Sequence, residues 1–366
     1  MKNSFGNQMT VTLFGESHGP AVGAVLDGLC PGLAVSEEYM ARHLARRRPS
    51  GETDTARVEP DRFQIVSGVF NGKTTGAPLC VIIPNEQCRS GDYAYGKARP
   101  SHADYAAFAK YHGYEDYRGG GHFSGRVTAA LVAAGGIVIP ALETLGVRVG
   151  THILQCGGVD DDPFSDAVER EISLLSARPM PVLNDAAARL MQEKIASAKA
   201  EGDSLGGVTQ TAVTDLPAGL GEPWFDSVEG LLSHALFSIG GVKGVEFGVG
   251  FAGAALRGSE YNDPLRVEDG VVQTLTNRNG GVNGGITNGM PVVFQCAVKP
   301  TPSIAKAQRT VDFVKNENAE IAIKGRHDPA ILRRICPVID SVTALVLYDL
   351  IAGRYGTDCF VKGIAT

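Results

Sequence analysis

The sequence predicts an α/β (α+β) chain that forms one layered domain over residues 1–366. Three observations support this. Short runs with strand-type alternation are interleaved with stretches of helical periodicity. No Pro/Gly/Ser-rich linker or low-complexity segment divides the chain, although the strand–helix rhythm of the first 150 residues loosely recurs after residue 200. The hydrophobic content of 43% is ample for a core.

The elements follow in order. Residues 9–14 and 22–26 read as strands, which puts His18 on their connection. Ser36 is an N-cap ahead of Glu37 and Glu38, and the helix it opens runs to about Arg47 before Pro49-Ser50-Gly51 stops it. Residues 63–69 form a strand, Asn71-Gly72 a hairpin turn, and 77–83 a second apolar strand. Pro78 marks that strand as an edge or a strand start. The polar stretch 85–100 is long for a connection and reads as a binding loop or lid. A helix at 103–111 precedes the glycine-rich turn 119–126. The small apolar segment 127–139, helical at least in its first half, ends at Pro140, and its small faces suit close packing. Residues 147–155, 206–213, 242–247 and 291–298 read as strands. Residues 163–175, 185–199, 224–237 (with the sole tryptophan) and 341–350 read as helices, and 257–289 as irregular.

Composition excludes several classes. A net charge of -6 argues against a general nucleic-acid binder. No apolar run is read as long enough to span a bilayer, and the N-terminus has no signal-peptide core. The seven cysteines are scattered and form no CxxC pair, which fits free thiols in a reducing cytoplasm and no structural zinc. No GxGxxG follows a strand and opens a helix, and neither a Walker A loop nor a GxSxG elbow is present. Rossmann hydride transfer, P-loop chemistry and serine hydrolysis are all disfavoured.

The residues that could carry chemistry lie in turns. Gly15-Glu16-Ser17-His18-Gly19 and Arg99-Pro100-Ser101-His102-Ala103-Asp104 each place a histidine where the backbone bends. Histidine is the natural acid or base near neutral pH. A structural, backbone-bonded loop histidine remains an equal reading of either one alone. Gly325-Arg326-His327-Asp328-Pro329 adds a guanidinium and a loop carboxylate, although a simple Asp-capped turn fits as well. Arg46, Arg47 and Arg48 end the first helix, where they are either a solvated charge run or a grip on an anion. Lys299-Pro300-Thr301-Pro302-Ser303 leaves a strand with a cation and hydroxyls suited to a phosphate, or is a stiff surface loop. Paired glycines, among them Gly119-Gly120-Gly121 and Gly240-Gly241, permit close backbone approach to a bulky ligand.

Taken in order along almost the whole chain, these segments resemble the chorismate synthase family. The resemblance rests on GESHG at 15–19, RRRP at 46–49, SGVFNGKTTG at 67–76, RPSHADY at 99–105 and DYRGGG at 116–121. It continues with GDSLGG at 202–207, PAGLGEP at 217–223, KGVEFG at 243–248 and GRHDP at 325–329. It implies a β-α-β sandwich with helices between antiparallel sheets. It further implies a 1,4-anti elimination of phosphate from 5-enolpyruvylshikimate 3-phosphate to give chorismate. Reduced FMN is required with no net redox change, and the assembly is a cytoplasmic homotetramer. The partner is then a small phosphorylated dicarboxylate, with neither nucleic acid nor membrane involved.

By the same motifs, His18 is the acid at the departing phosphate, His102 serves the reduced flavin, and Asp328 assists removal of the ring proton. Arg47, Arg99, Arg126 and Arg326 neutralise the substrate anions. Ser124, Gly240, Gly241, Lys299, Ser303, Arg326 and Asp328 contact the flavin. A compact chain without large insertions suggests that an external flavin reductase, rather than intrinsic NADPH oxidation, supplies the reduced cofactor. Departures from the family pattern are His122-Phe123 after the triple glycine, Val127 for a glutamate, Ser101 for a glycine, Gly240-Gly241 for Pro-Ala, and Asp340 for a glutamate. A related flavin-dependent phosphate lyase and a non-catalytic anion-binding homologue are the alternatives.

Overall fold

The computed structural model describes residues 2–49, 59–86, 95–323 and 328–364. Two five-stranded sheets dominate it. The first runs in the spatial order Ser4–Phe5, Thr10–Gly15, Ala21–Asp27, Leu79–Pro84, Gln64–Ser67, with every pair antiparallel. The second runs Val242–Phe247, Val292–Val298, Gly207–Thr214, Arg148–Cys156, Val159–Asp160, again antiparallel throughout.

Between the sheets lie three helices, Glu37–Arg47, Thr128–Glu143 and Leu332–Tyr355, which pack on one another. Thr128–Glu143 touches strands of both sheets. Its small residues explain the fit. A Cβ on Gly135 would lie 2.8 Å from the Cα of Ser341, and one on Gly136 would lie 3.1 Å from the Cα of Met40. The expected sandwich, helices between antiparallel sheets, is therefore the architecture found. Ser36 caps the first helix as expected, its hydroxyl accepting from the Tyr39 N–H at 3.1 Å.

Several boundaries differ from the sequence reading. The Thr128–Glu143 helix continues through Pro140, and the last long helix covers Leu332–Tyr355 around Pro337 rather than 341–350 alone. Burial on nearly all faces outweighs the local cost of proline. The helical stretches Gly125–Glu143 and Leu332–Tyr355 are in fact long and apolar enough to cross a membrane by length and composition, yet here 83% and 94% of their apolar windows are buried inside the fold. Residues 163–175 shorten to a helix at Val168–Leu175. Trp224 falls in the connection before the Val228–Leu236 helix and is 80% exposed.

The strand expected at 63–69 breaks at Gly68, whose φ of +85° leaves the extended region, and a Cβ there would meet Leu79 Cα at 2.4 Å, so the position requires glycine. The strand after Pro78 is interior to its sheet, so Pro78 marks a strand start and not an edge. The stretch 257–289 holds a hairpin, Leu265–Glu268 with Val271–Thr274, and a second hairpin pairs Gln308–Asp312 with Glu317–Ile321. Polar, exposed alternation concealed both.

Candidate active site

The turn carrying His18 joins two strands of the first sheet, Thr10–Gly15 and Ala21–Asp27. Its form is local. Gly19 N–H donates to Glu16 O at 3.1 Å, and Ser17 N–H donates to Gly121 O at 3.0 Å, which docks the turn on the triple glycine. All three of these glycines have positive φ, at +62°, +83° and +53°. A Cβ on Gly119 would lie 2.6 Å from His18 Nε2, and one on Gly120 would lie 3.2 Å from His102 Nε2. The two histidines thus approach adjacent glycines. Only residues without side chains allow both rings so close to one backbone.

His102 sits just before the Asp104–Tyr111 helix. Its Nδ1 lies 2.6 Å from Asp104 Oδ1, and Arg99 Nε and Nη2 donate to the same carboxylate at 2.8 and 2.7 Å. The carboxylate calls for a proton on Nδ1 and leaves Nε2 facing Gly120. Burial works to raise the Asp104 carboxyl, but hydrogen bonds and charge from Arg99 and His102 hold it well below the usual range. Ser101 has φ +60° and so adopts the left-handed conformation that glycine favours.

Arg47 and Arg126 are both almost fully buried and share the carboxylate of Asp61. Arg47 donates to Asp61 Oδ2 at 3.3 Å, Thr128 Oγ1 at 2.9 Å and Gly125 O at 2.8 Å. Arg126 donates to Asp61 Oδ1, to Asn85 Oδ1 at 2.8 Å and to Pro84 O at 3.0 Å. Burial and the Arg334 charge work against the Arg47 guanidinium charge, and Asp61 supports it. Of the arginine run, Arg47 points inward while Arg46 pairs with buried Asp340 at 3.0 Å. Asp328 forms an ion pair with Arg334, whose Nε donates to Arg47 O at 2.9 Å.

One cavity of about 960 Å³ unites these groups. Arg47, Arg99, His102, Ser124, Arg126, Gly240, Gly241, Lys299, Ser303 and Asp328 all line it. His18 lies directly behind Gly119, which is also on the wall. Arg326 falls outside the described residues. Lys299 donates to Ser101 O, and burial together with the Lys243 charge lowers its pKa. His122 lies with Nδ1 2.7 Å from Gly15 O, so it ties the glycine turn to the first sheet.

Asp61, Asn85, Lys243 and Arg334 also belong to the site, although no sequence motif gives any of them a role there. Asp61 is a single acid with no motif around it, and only the fold brings two arginines to it. Arg334 had a weak signal, as part of an arginine pair six residues beyond Asp328.

The family model for chorismate synthase matches residues 9–352. A chorismate synthase of Korarchaeum cryptofilum is 46% identical over 348 residues, covering 94% of this chain and 96% of that protein. One of Aeropyrum pernix is 46% identical over 363 residues, covering 96% and 93%. A crystal structure of chorismate synthase superposes with a TM-score of 0.77 at 27% identity, covering 96% of this chain and 94% of the other. With all of both sheets but the edge strand Ser4–Phe5, nearly all of the buried helix layer and the two glycine-backed histidines inside the matched range, this chain belongs to the chorismate synthase family.

Proposed function

We propose that the cavity binds 5-enolpyruvylshikimate 3-phosphate with reduced FMN and expels phosphate by 1,4-anti elimination to give chorismate. The observation that carries this reading is the convergence of His102, Asp328 and several guanidiniums on one cavity, with His18 packed behind its Gly119 wall, in a lyase-family chain.

The flavin fits the residues present. A Cβ on Gly240 would meet nothing within 4 Å, so this part of the wall is bare and open to a flat ring. Lys299 and Ser303 border the same wall with a cation and a hydroxyl for a phosphate, and Ser124, Gly241 and Asp328 line the same cavity; with Arg326, which lies outside the described residues, they complete the proposed flavin contacts. Reduced FMN, when bound, supplies electron density to the allylic system without net oxidation or reduction.

The protein's part is charge and proton management. As the carbon–oxygen bond breaks, its electron pair leaves on the phosphate. His18 gives that oxygen a proton, and the Arg47 and Arg126 guanidiniums stabilise the growing charge. Arg99 and Arg326 are assigned to the remaining substrate anions, which bidentate guanidiniums suit. Asp328, steadied by Arg334, takes the ring proton, and the electrons of that C–H bond enter the new diene. His102, held by Asp104, maintains the protonation of the reduced flavin.

The same reading makes residues 1–366 one domain in a cytoplasmic homotetramer fed by an external flavin reductase. Free thiols such as Cys30 and Cys156 suit a reducing compartment. Trp224, Phe225, Phe251 and Val267, each at least 72% exposed, supply apolar surface for subunit contact. Anaerobic assay with photoreduced FMN tests the function. Chorismate and phosphate form in equal amounts, and oxidised FMN supports neither. No chorismate under these conditions overturns the reading. Mixing with FMN and NADPH leaves the oxidised-flavin band unchanged if reduction is external.

A further inference from the structure

We propose that Asn85 is a positioning residue that holds the His18 turn and the Arg126 guanidinium in one register. The inference rests on the function proposed above, in which His18 and Arg126 must reach the same phosphate. Asn85 follows the strand Leu79–Pro84 at its C-terminal end. Its Nδ2 donates to Glu16 O at 2.9 Å and to Gly19 O at 2.8 Å, the two carbonyls that frame His18. Its Oδ1 accepts from Arg126 Nε at 2.8 Å. Its backbone N–H donates to Pro20 O at 3.0 Å.

Only one amide orientation satisfies these partners. Flipped, the Asn85 oxygen would face two carbonyl oxygens and its NH₂ would face a guanidinium. An aspartate of the same size would set a carboxylate against both carbonyls. Asp61 grips Arg126 on another nitrogen, so the guanidinium is fixed between two anchors and Asn85 passes that order on to the proton donor.

The test is a double-mutant cycle with His18, measured with reduced FMN. Asn85→Ala lowers kcat by about 30-fold while FMN affinity holds, yet costs less than about threefold in a His18→Ala background. Equal losses in both backgrounds overturn the proposal. Asn85→Asp keeps the volume and is expected to be as impaired as Asn85→Ala, so wild-type kcat in that variant also overturns it. An activity-free readout separates this idea from the proposed function. The His18 ring titration, followed by NMR, shifts in both variants, and an unchanged titration sinks the proposal even if no chorismate is made. Inactive wild type with shifted titrations sinks the function instead.

Discussion

Gly119 lies so close to His18 that a Cβ on the glycine would stand 2.5 Å from the imidazole Cδ2. No non-bonded carbon–carbon contact tolerates that distance, and φ at Gly119 is +62°. Gly119→Ala therefore must move the ring, and it also strains the backbone by about 1–2 kcal/mol. We expect kcat to fall by about 100-fold, as small misplacements of catalytic groups do, with a modest drop in Tm. Steady-state kinetics and thermal unfolding check both, and unchanged kcat would show that His18 needs no such close seat.

Asp104 organises the other histidine. Asp104→Asn removes the carboxylate that Arg99 and His102 share, and kcat should drop by about 100-fold. The same change alters stability against acid. The folded-state pKa of Asp104 is depressed, so its stabilisation is complete above the ordinary value near about 4 and fades as pH falls through the folded value. Urea midpoints between about pH 2 and 5 should fall with acid more steeply in the wild type than in the variant.

Gly240 faces open space, and its φ is not in the left-handed region. Valine there should fold normally and take the room proposed for the flavin ring. FMN binding, read by fluorescence, should weaken by about tenfold, equal to about 1.4 kcal/mol. Intact FMN affinity would place the flavin elsewhere.

His43 is buried, with Nε2 2.9 Å from Ser341 Oγ, and burial followed by the Arg46 charge pushes its pKa down to about 3. The unfolded chain takes up a proton near about pH 6.5 while the folded chain does not. This contribution is therefore whole above that value and is lost as pH falls toward about 3, by at most about 1.4 kcal/mol per pH unit. The stability of His43→Asn should depend less on pH across this window in chemical denaturation. Parallel pH profiles for wild type and variant would refute the assignment.

Much of the site could be read from turn chemistry. His18, His102 and Asp328 stand in glycine- or proline-punctuated segments, and such segments report local backbone form directly. Arg47 was legible as a residue type but not as a direction, because a helix end exposes some of its arginines and buries others. Asp61 carried no signal at all, and Asn85 stood out only as the first residue of the polar stretch 85–100. Their roles come from partners at 47, 126, 16 and 19, and no local pattern encodes a hydrogen bond across such separations.

The sequence by itself determined the longer strands of both sheets, the Ser36 cap, the hairpin at Asn71-Gly72 and the family to which the chain belongs, but not the two-residue edge strands Ser4–Phe5 and Val159–Asp160. Those features depend on local backbone preference and on ordered motifs. Only the tertiary structure decided that Thr128–Glu143 runs through its proline, that Leu332–Tyr355 is a single helix, and that Gly119 and Gly120 back the two histidines. These outcomes depend on burial and close packing between segments far apart in the chain, and there the surroundings outweigh the local preference of any one residue.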